Sequence, residues 1–271
     1  MTGASRGIGL AIARALAAQG MRLALTWFDW PEASAAMRRE FQAMEEDHLI
    51  LRADLRRPDE VAAMARQIGD ELGSLSLLVN NIERGGMPIL HGSYLKPVNR
   101  NQWRLEQETT LQAKWLVLEH CFGLLQAASE AAVINISSIA GLVGRSGPAG
   151  LLFNDGYAAA NRGVSVLTET WARMGAPSIR VNELMLGLVD TRHGPGTRGW
   201  DLLTPRQQEQ LLDHTLVKRT GTPEEVARAV LFLARDADFM TGSVLRLDGG
   251  YVLGGEEVPP MPSGSLEEGE Q

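Results

Sequence analysis

The sequence predicts a single α/β domain built on a doubly wound parallel sheet, and three observations carry that expectation. Short runs rich in Leu, Val and Ile alternate without interruption with longer amphipathic stretches, the pattern of parallel strands covered by helices on both faces. A glycine-rich turn, "TGASRGIG" at 2–9, opens directly into the alanine-rich stretch "LAIARALAAQG". Apolar residues make up 44% and charged residues 22% of the 271 positions, so one large core can be buried and nothing calls for a second.

The elements follow in order. The strand from which the glycine turn should depart is truncated, because only Met1 and Thr2 precede Gly3. A sheet without its middle strand would leave buried backbone groups unsatisfied at ~1–3 kcal/mol each, so the natural chain is expected to begin some residues earlier. Strands are then predicted at 22–27, 48–54, 75–81, 131–138, 179–186 and 243–248. Helices are predicted at 7–19, 31–46, 58–72, 101–127, 157–174 and 223–235. This places the domain at 1–251. Within it, 188–220 is too long for a simple connection and is rich in Gly, Arg, Thr and Trp, which marks it as a candidate substrate lid. Residues 252–271 carry the Pro, Gly, Ser and Glu bias of a segment that buries too little to order itself.

Composition excludes several functions. The formal charge of −7 argues against a nucleic-acid partner, which requires a basic face. Five of the acids fall in the last twenty residues, leaving the folded body close to neutral. The single Cys121 rules out an internal disulfide and any cysteine-cluster metal site, and its apolar run "WLVLEHCFGLL" makes it a buried structural thiol. No histidine pair has the i, i+4 spacing of a helical zinc site, so no metal is implied. No apolar stretch reaches the ~18 residues that cross a bilayer, and no signal pattern opens the chain, so the expected location is the cytoplasm, without a membrane partner.

Glycines at 3, 7 and 9 let the backbone turn sharply and approach a pyrophosphate, whose charge is met by the free N–H groups and positive end of the following helix. This is the Rossmann-type arrangement for a dinucleotide. Further motifs follow in order: "ADL" (53–55), "NN" (80–81), "NISSIAG" (135–141), Tyr157, "VNELMLGLVDT" (181–191), "RTGTPEEVARAVLFLA" (219–234) and "MTGSVLRLDGGY" (240–251). Together they resemble the short-chain dehydrogenase/reductase family across nearly the whole chain, most of all its reductases of the 3-oxoacyl-carrier-protein type.

The resemblance implies a role for each matching residue. Gly3, Ser5, Arg6, Gly7, Ile8 and Gly9 would hold the cofactor phosphates, Asp54 and Leu55 the adenine, and Asn80 the adenine ribose. Gly187 and Thr191 would flank the nicotinamide amide. Ser138 would hydrogen-bond the substrate carbonyl, and Tyr157 would pass it a proton as hydride arrives at carbon. A homodimer or homotetramer would form through the helices at 101–127 and 157–174.

The pattern also breaks. Where the family carries an asparagine seven residues after Trp103 this chain has Thr110, and the lysine four residues after Tyr157 is Asn161. "NNAG" becomes "NNIE", and "PG" becomes Leu186-Gly187. Asn161 can keep a ribose hydrogen bond but supplies no charge to the phenol, which weakens acid–base catalysis by about 10²–10⁴ without abolishing hydride transfer. Lys114, Arg162, Lys96 and Arg84 are possible substitute cations, each read first as a solvated surface charge. Arg6 favours the 2′-phosphate of NADP(H), and Asp29 the ribose hydroxyls of NAD(H); the balance falls slightly to NADP(H). The resulting expectation is a reductase of a small-molecule carbonyl, or of the matching alcohol in reverse. The alternative is a nucleotide-binding sensor or scaffold without turnover.

Overall fold

The computed structural model describes residues 1–84, 88–191, 199–256 and 258–261. All six predicted strands form, each within a few residues of its expected ends: β1 (Ala24–Trp27), β2 (Leu49–Arg52), β3 (Leu77–Asn80), β4 (Ala131–Ser138), β5 (Ile179–Leu186) and β6 (Val244–Leu247). Every pairing is parallel, β1 with β2 in one sheet and β3-β4-β5-β6 in the other. β4 is buried along its whole length, as befits a central strand covered on both faces, its apolar run Ala131–Ile134 giving way to buried polar residues towards Ser138.

The first residues join the two sheets. Thr2 N donates to Val79 O at 3.0 Å, Thr26 N to Met1 O at 3.1 Å and Ala4 N to Thr26 O at 3.1 Å, so Met1–Ala4 lies between β1 and β3. Below this bridge a cavity of about 220 Å³ separates the strands, lined by Met1, Leu23, Ala24, Leu77, Leu78 and Val117 among others.

The helices are α1 (Gly7–Ala17), α2 (Pro31–Gln42), α3 (Pro58–Leu72), α4 (Pro88–His91), α5 (Gln102–Glu106), α6 (Ala113–Gln126), α7 (Ala140–Val143), α8 (Asp155–Gly175), α9 (Pro205–His214) and α10 (Pro223–Arg235). On one face α1, α2 and α10 bury Ile12, Leu16, Met37, Phe41, Val226 and Val230 against Leu25, Ile134 and Leu184. On the other, α3, α6 and α8 bury Val61, Val117, Leu125 and Trp171 against Val133 and Val181. The doubly wound expectation is met. α10 shows how directly sequence sets an element: Thr222 caps Glu225 N while the Glu225 side chain returns to Thr222 N, and Pro223 occupies the first turn.

Two helical expectations are corrected. The helix expected at 31–46 stops at Gln42. The continuous helix expected at 101–127 is broken into α5 and α6 by a π-helical turn at Gln107–Gln112, where the backbone and side chain of Thr110 are both engaged by groups outside the regular ladder.

Of the lid expected at 188–220, residues 192–198 lie outside the described residues, including His193 and Arg198. The remainder forms a roof: Trp200, Leu203 and Leu211 are buried with Tyr251, Ile139, Phe153, Met185 and Tyr157. Of the tail, residues 257 and 262–271 likewise lie outside the description, while Val258 and Met261 are exposed.

Candidate active site

The glycine turn sits at the carboxyl ends of β1 and β3. Gly3 and Gly7 adopt positive φ, +62° and +51°, which a side chain disfavours, and a Cβ at Gly9 would sit 1.9 Å from the Gly3 carbonyl oxygen. The turn is tied to the end of β3 by Asn81, whose N–H donates to Thr2 Oγ1 at 2.9 Å and whose Nδ2 donates to Gly3 O at 3.3 Å. Arg6, the residue before α1, makes no side-chain cap, so no side chain of the N-cap closes the helix start to an anion. Thr191 approaches from beyond β5: a Cβ at Gly7 would meet its methyl at 3.2 Å. Gly187 passes so close to Asp248 that a Cβ there would lie 2.6 Å from the Asp248 Cα. Ser5 is buried and Ile8 half-buried in the same turn.

At the end of β1 the Arg6 guanidinium stacks over the Trp30 ring, 3.8 Å from its centroid. Arg52 and Arg56 lie over Phe28 at 5.1 Å and 5.7 Å. Asp54, expected to face adenine, has both carboxylate oxygens engaged by Arg56, at 2.8 Å and 2.6 Å. These hydrogen bonds hold its carboxyl below the ordinary carboxylate range, outweighing the opposing effect of burial. Leu55 is buried beside it. Asn80, expected at the ribose, is fully buried and turns inward, donating to Asn135 Oδ1 at 3.1 Å.

The residues expected to handle the proton gather where β4 ends against α8. Asn154 caps α8 by accepting from Tyr157 N at 2.8 Å, which fixes the first turn and with it the tyrosine. Tyr157 is 5% exposed, and its ring lies 6.1 Å from that of Phe153. Ser138 ends β4; its Oγ accepts from Ala140 N at 3.2 Å. Three residues on, a Cβ at Gly141 would meet Arg162 N at 2.9 Å and Asn161 C at 3.1 Å, so the serine segment packs directly on the asparagine turn. Asn161 is fully buried; its Nδ2 donates to Tyr157 O at 3.0 Å and its Oδ1 has no partner among the described residues. A buried acceptor left open costs about 1–3 kcal/mol, and a ligand hydroxyl would satisfy it.

Two charged residues stand where sequence reasoning did not place them. The Tyr157 hydroxyl donates to Glu83 Oε2 at 2.7 Å. This is the acid of "NNIE", and its only signal in the sequence is a carboxylate replacing glycine in a loop that follows a strand end. Lys114 is not a surface charge but 1% exposed, its ammonium donating to Ile82 O and Thr110 O. Burial lowers that ammonium to about 8, against the opposing pull of Glu83 and Glu183. Arg84, Lys96 and Arg162 are exposed, as expected. Glu183, also fully buried, is pushed upward by desolvation despite the hydrogen bond from Ser137.

The residues present therefore suit a nicotinamide dinucleotide: a sterically closed glycine cradle, an uncapped helix start, a basic aromatic corner and an unsatisfied acceptor beside the tyrosine. No group of three or more metal-ligating side chains occurs among the described residues.

Known proteins resemble the chain over nearly its whole length. The profile of the family described as enoyl-(acyl carrier protein) reductase matches residues 3–252. The chain is 31% identical over 255 residues to a 3-oxoacyl-acyl-carrier-protein reductase of Staphylococcus aureus, covering 93% of this chain and 97% of that one. It is 30% identical over 256 residues to the reductase of the same name from Synechocystis, covering 93% and 96%. It is 34% identical over 255 residues to cis-4-hydroxycyclohexanecarboxylate dehydrogenase of Sinomonas cyclohexanicum, covering 93% and 94%. With its parallel sheet, glycine turn and serine–tyrosine pair in family order, the chain belongs to the short-chain dehydrogenase/reductase family.

Proposed function

We propose that this protein is an NADP(H)-dependent reductase of a small or medium carbonyl compound. The observation that carries the reading is the convergence of Ser138, Tyr157 and the orphaned Asn161 Oδ1 on the end of the sheet that also holds the glycine turn. The coenzyme, when bound, would supply hydride. Ser138 orients the carbonyl oxygen by donating its hydroxyl proton into a hydrogen bond, and Tyr157 delivers a proton to that oxygen. Asn161 would accept a hydrogen bond from a ribose hydroxyl. Gly3, Ser5, Gly7, Ile8 and Gly9 would hold the diphosphate through backbone N–H groups. Gly187 and Thr191 would border the carboxamide, and Leu55 would pack by the adenine.

Arg6 supports NADP(H), since a 2′-phosphate would be met by a guanidinium already stacked on an aromatic ring. Asp54 contributes through Arg56 rather than directly, because its carboxylate is already engaged. Trp200 and the segment around α9 close the substrate side. Exposed Trp103 and Trp115 on α5 and α6, and Val166 and Met174 on α8, support pairing of those helices in a homodimer or homotetramer. No helix among the described residues is long and apolar enough to span a membrane, which is compatible with the cytoplasmic location we assign.

Loss of the family lysine and asparagine favours a second reading, a coenzyme-binding protein without turnover. Purified protein mixed with NADPH and a panel of 3-oxoacyl thioesters, cyclic ketones and quinones separates the two. Carbonyl-dependent loss of NADPH absorbance is the expected result. Coenzyme binding without oxidation on any member, together with activity gained by Asn161→Lys, would establish the second reading.

A further inference from the structure

The family lysine is absent, yet the Tyr157 hydroxyl is not left to solvent. Its proton points at Glu83 Oε2, 2.7 Å away. Asn161, in the lysine's place, carries no charge and spends its amide on the Tyr157 carbonyl. Lys114 is held inside by Ile82 O and Thr110 O, immediately before Glu83 in the loop, and acts on that carboxylate only through space. The other charged neighbours among the described residues have partners of their own or are exposed. Arg84 is exposed and gives its backbone N–H to Thr110 Oγ1. Glu106, packed under the start of α8, is engaged by Tyr94, Gln102 and Asn154. Asp155 lies near Arg145, and Glu183 is held by Ser137. Among the described residues, the hydrogen-bonded carboxylate at the phenol is Glu83.

We propose that Glu83 is the proton partner of Tyr157, forming a carboxyl–phenol relay that replaces the lysine-supported phenolate. The proposal rests on the carbonyl-reductase reading above. In reduction, the carbonyl carbon gains the hydride and the carbonyl oxygen takes the Tyr157 proton, so the substrate is reduced at the expense of the coenzyme. The Tyr157 O–H bond that breaks is remade with the proton of the Glu83 carboxylic acid. The carboxylate left behind recovers a proton from water, to which the half-buried Glu83 has access. In the reverse direction the alcohol proton passes to Tyr157 while the phenol proton passes to the Glu83 carboxylate. A lysine works by making the phenolate cheap to form. A carboxylate partner works by making a free phenolate unnecessary, since each proton lost from the ring oxygen is replaced in the same step.

Two consequences are specific to this chemistry. Reduction requires protonated Glu83 and alcohol oxidation requires its carboxylate, so one group produces opposite pH limbs in the two directions. Removal of the carboxylate also eases ionisation of the phenol, because a negative neighbour disfavours a second negative charge. Tyr157 is one of only three tyrosines, which makes its phenolate absorbance resolvable by subtraction of Tyr157→Phe.

The first arm of the test needs no substrate: the Tyr157 phenolate signal is titrated in wild type and in Glu83→Gln. The relay predicts that the signal emerges at lower pH in Glu83→Gln; emergence at the same or higher pH overturns it. The second arm measures kcat against pH with NADPH and either an acetoacetyl thioester or 4-oxocyclohexanecarboxylate, with NADPH binding as the check on folding. Expected are a loss of kcat of about 10²-fold or more in Glu83→Gln, NADPH affinity within a few-fold of wild type, and partial recovery in Glu83→Asp. A wild-type pH profile that survives unchanged in Glu83→Gln overturns the relay. No turnover in any variant would instead defeat the carbonyl-reductase reading, and the phenolate titration alone would then decide the pairing.

Discussion

At the Tyr157 hydroxyl a lost cation and a gained carboxylate meet. Asn161 and Glu83 each depart from the resembling family, and the structure brings both onto one tyrosine, through its carbonyl and its hydroxyl. The first departure was plain in the sequence, because it falls within a helix at fixed spacing from Tyr157. The second was visible as a letter but not as a contact, since a loop residue 74 positions away can be placed only by the fold. The glycine turn is the opposite case, where local sterics decide everything. Gly9→Ala would drive a methyl to within 1.9 Å of the Gly3 carbonyl oxygen, and neither the methyl nor the backbone it meets has a rotamer to relieve the contact. We expect this variant to lose about 2–4 kcal/mol of stability or, where it folds, at least about tenfold in NADPH affinity. Urea unfolding and fluorescence titration of NADPH check this, and wild-type values for both would contradict the steric account.

The elements were legible wherever periodicity and caps agreed. β4 and β5 match their expected ranges residue for residue, and α3 and α10 begin at Pro58 and Pro223 as their first-turn prolines require. The π-helical turn at Gln107–Gln112 was not legible, because "QETTLQ" is ordinary helix sequence and the distortion comes from tertiary bonds to Thr110. Lys114 follows from that turn: its ammonium donates to Thr110 O from inside the fold rather than from the surface. Between about 8 and its ordinary value of 10.5, the unfolded chain holds a proton that the folded chain has released. The unfolded state then binds more protons, so this residue makes stability rise with pH across that window; below about 8 its full penalty, on the order of 3 kcal/mol, is present. Urea unfolding at about pH 7 and about pH 10 should show wild type gaining stability relative to Lys114→Met as pH rises. Parallel behaviour of the two proteins would contradict a buried ammonium.

Across the whole molecule, the parallel strands, their helical cover and the placement of the candidate residues Gly3, Ser138 and Gly187 at the carboxyl ends of strands were readable from alternation and motif order. The junction between the sheets was legible in part: β1 and β3 do not pair, as expected, while Met1–Ala4 bonds both of them at their upper ends, above the cavity. The acidic balance of the chain likewise conceals a basic corner, where Arg6, Arg38, Arg52 and Arg56 stack on Trp30, Trp27 and Phe28. Net charge sums over the surface and loses such local arrangement. That corner and the glycine turn together define the central claim, a dinucleotide lying across the strand ends with its extra phosphate at Arg6. Titration calorimetry with NADPH and NADH on wild type and Arg6→Ala tests it most directly. The account predicts NADPH bound about tenfold or more tighter than NADH, a preference lost in Arg6→Ala while NADH binding persists. Absence of heat with either coenzyme would contradict it.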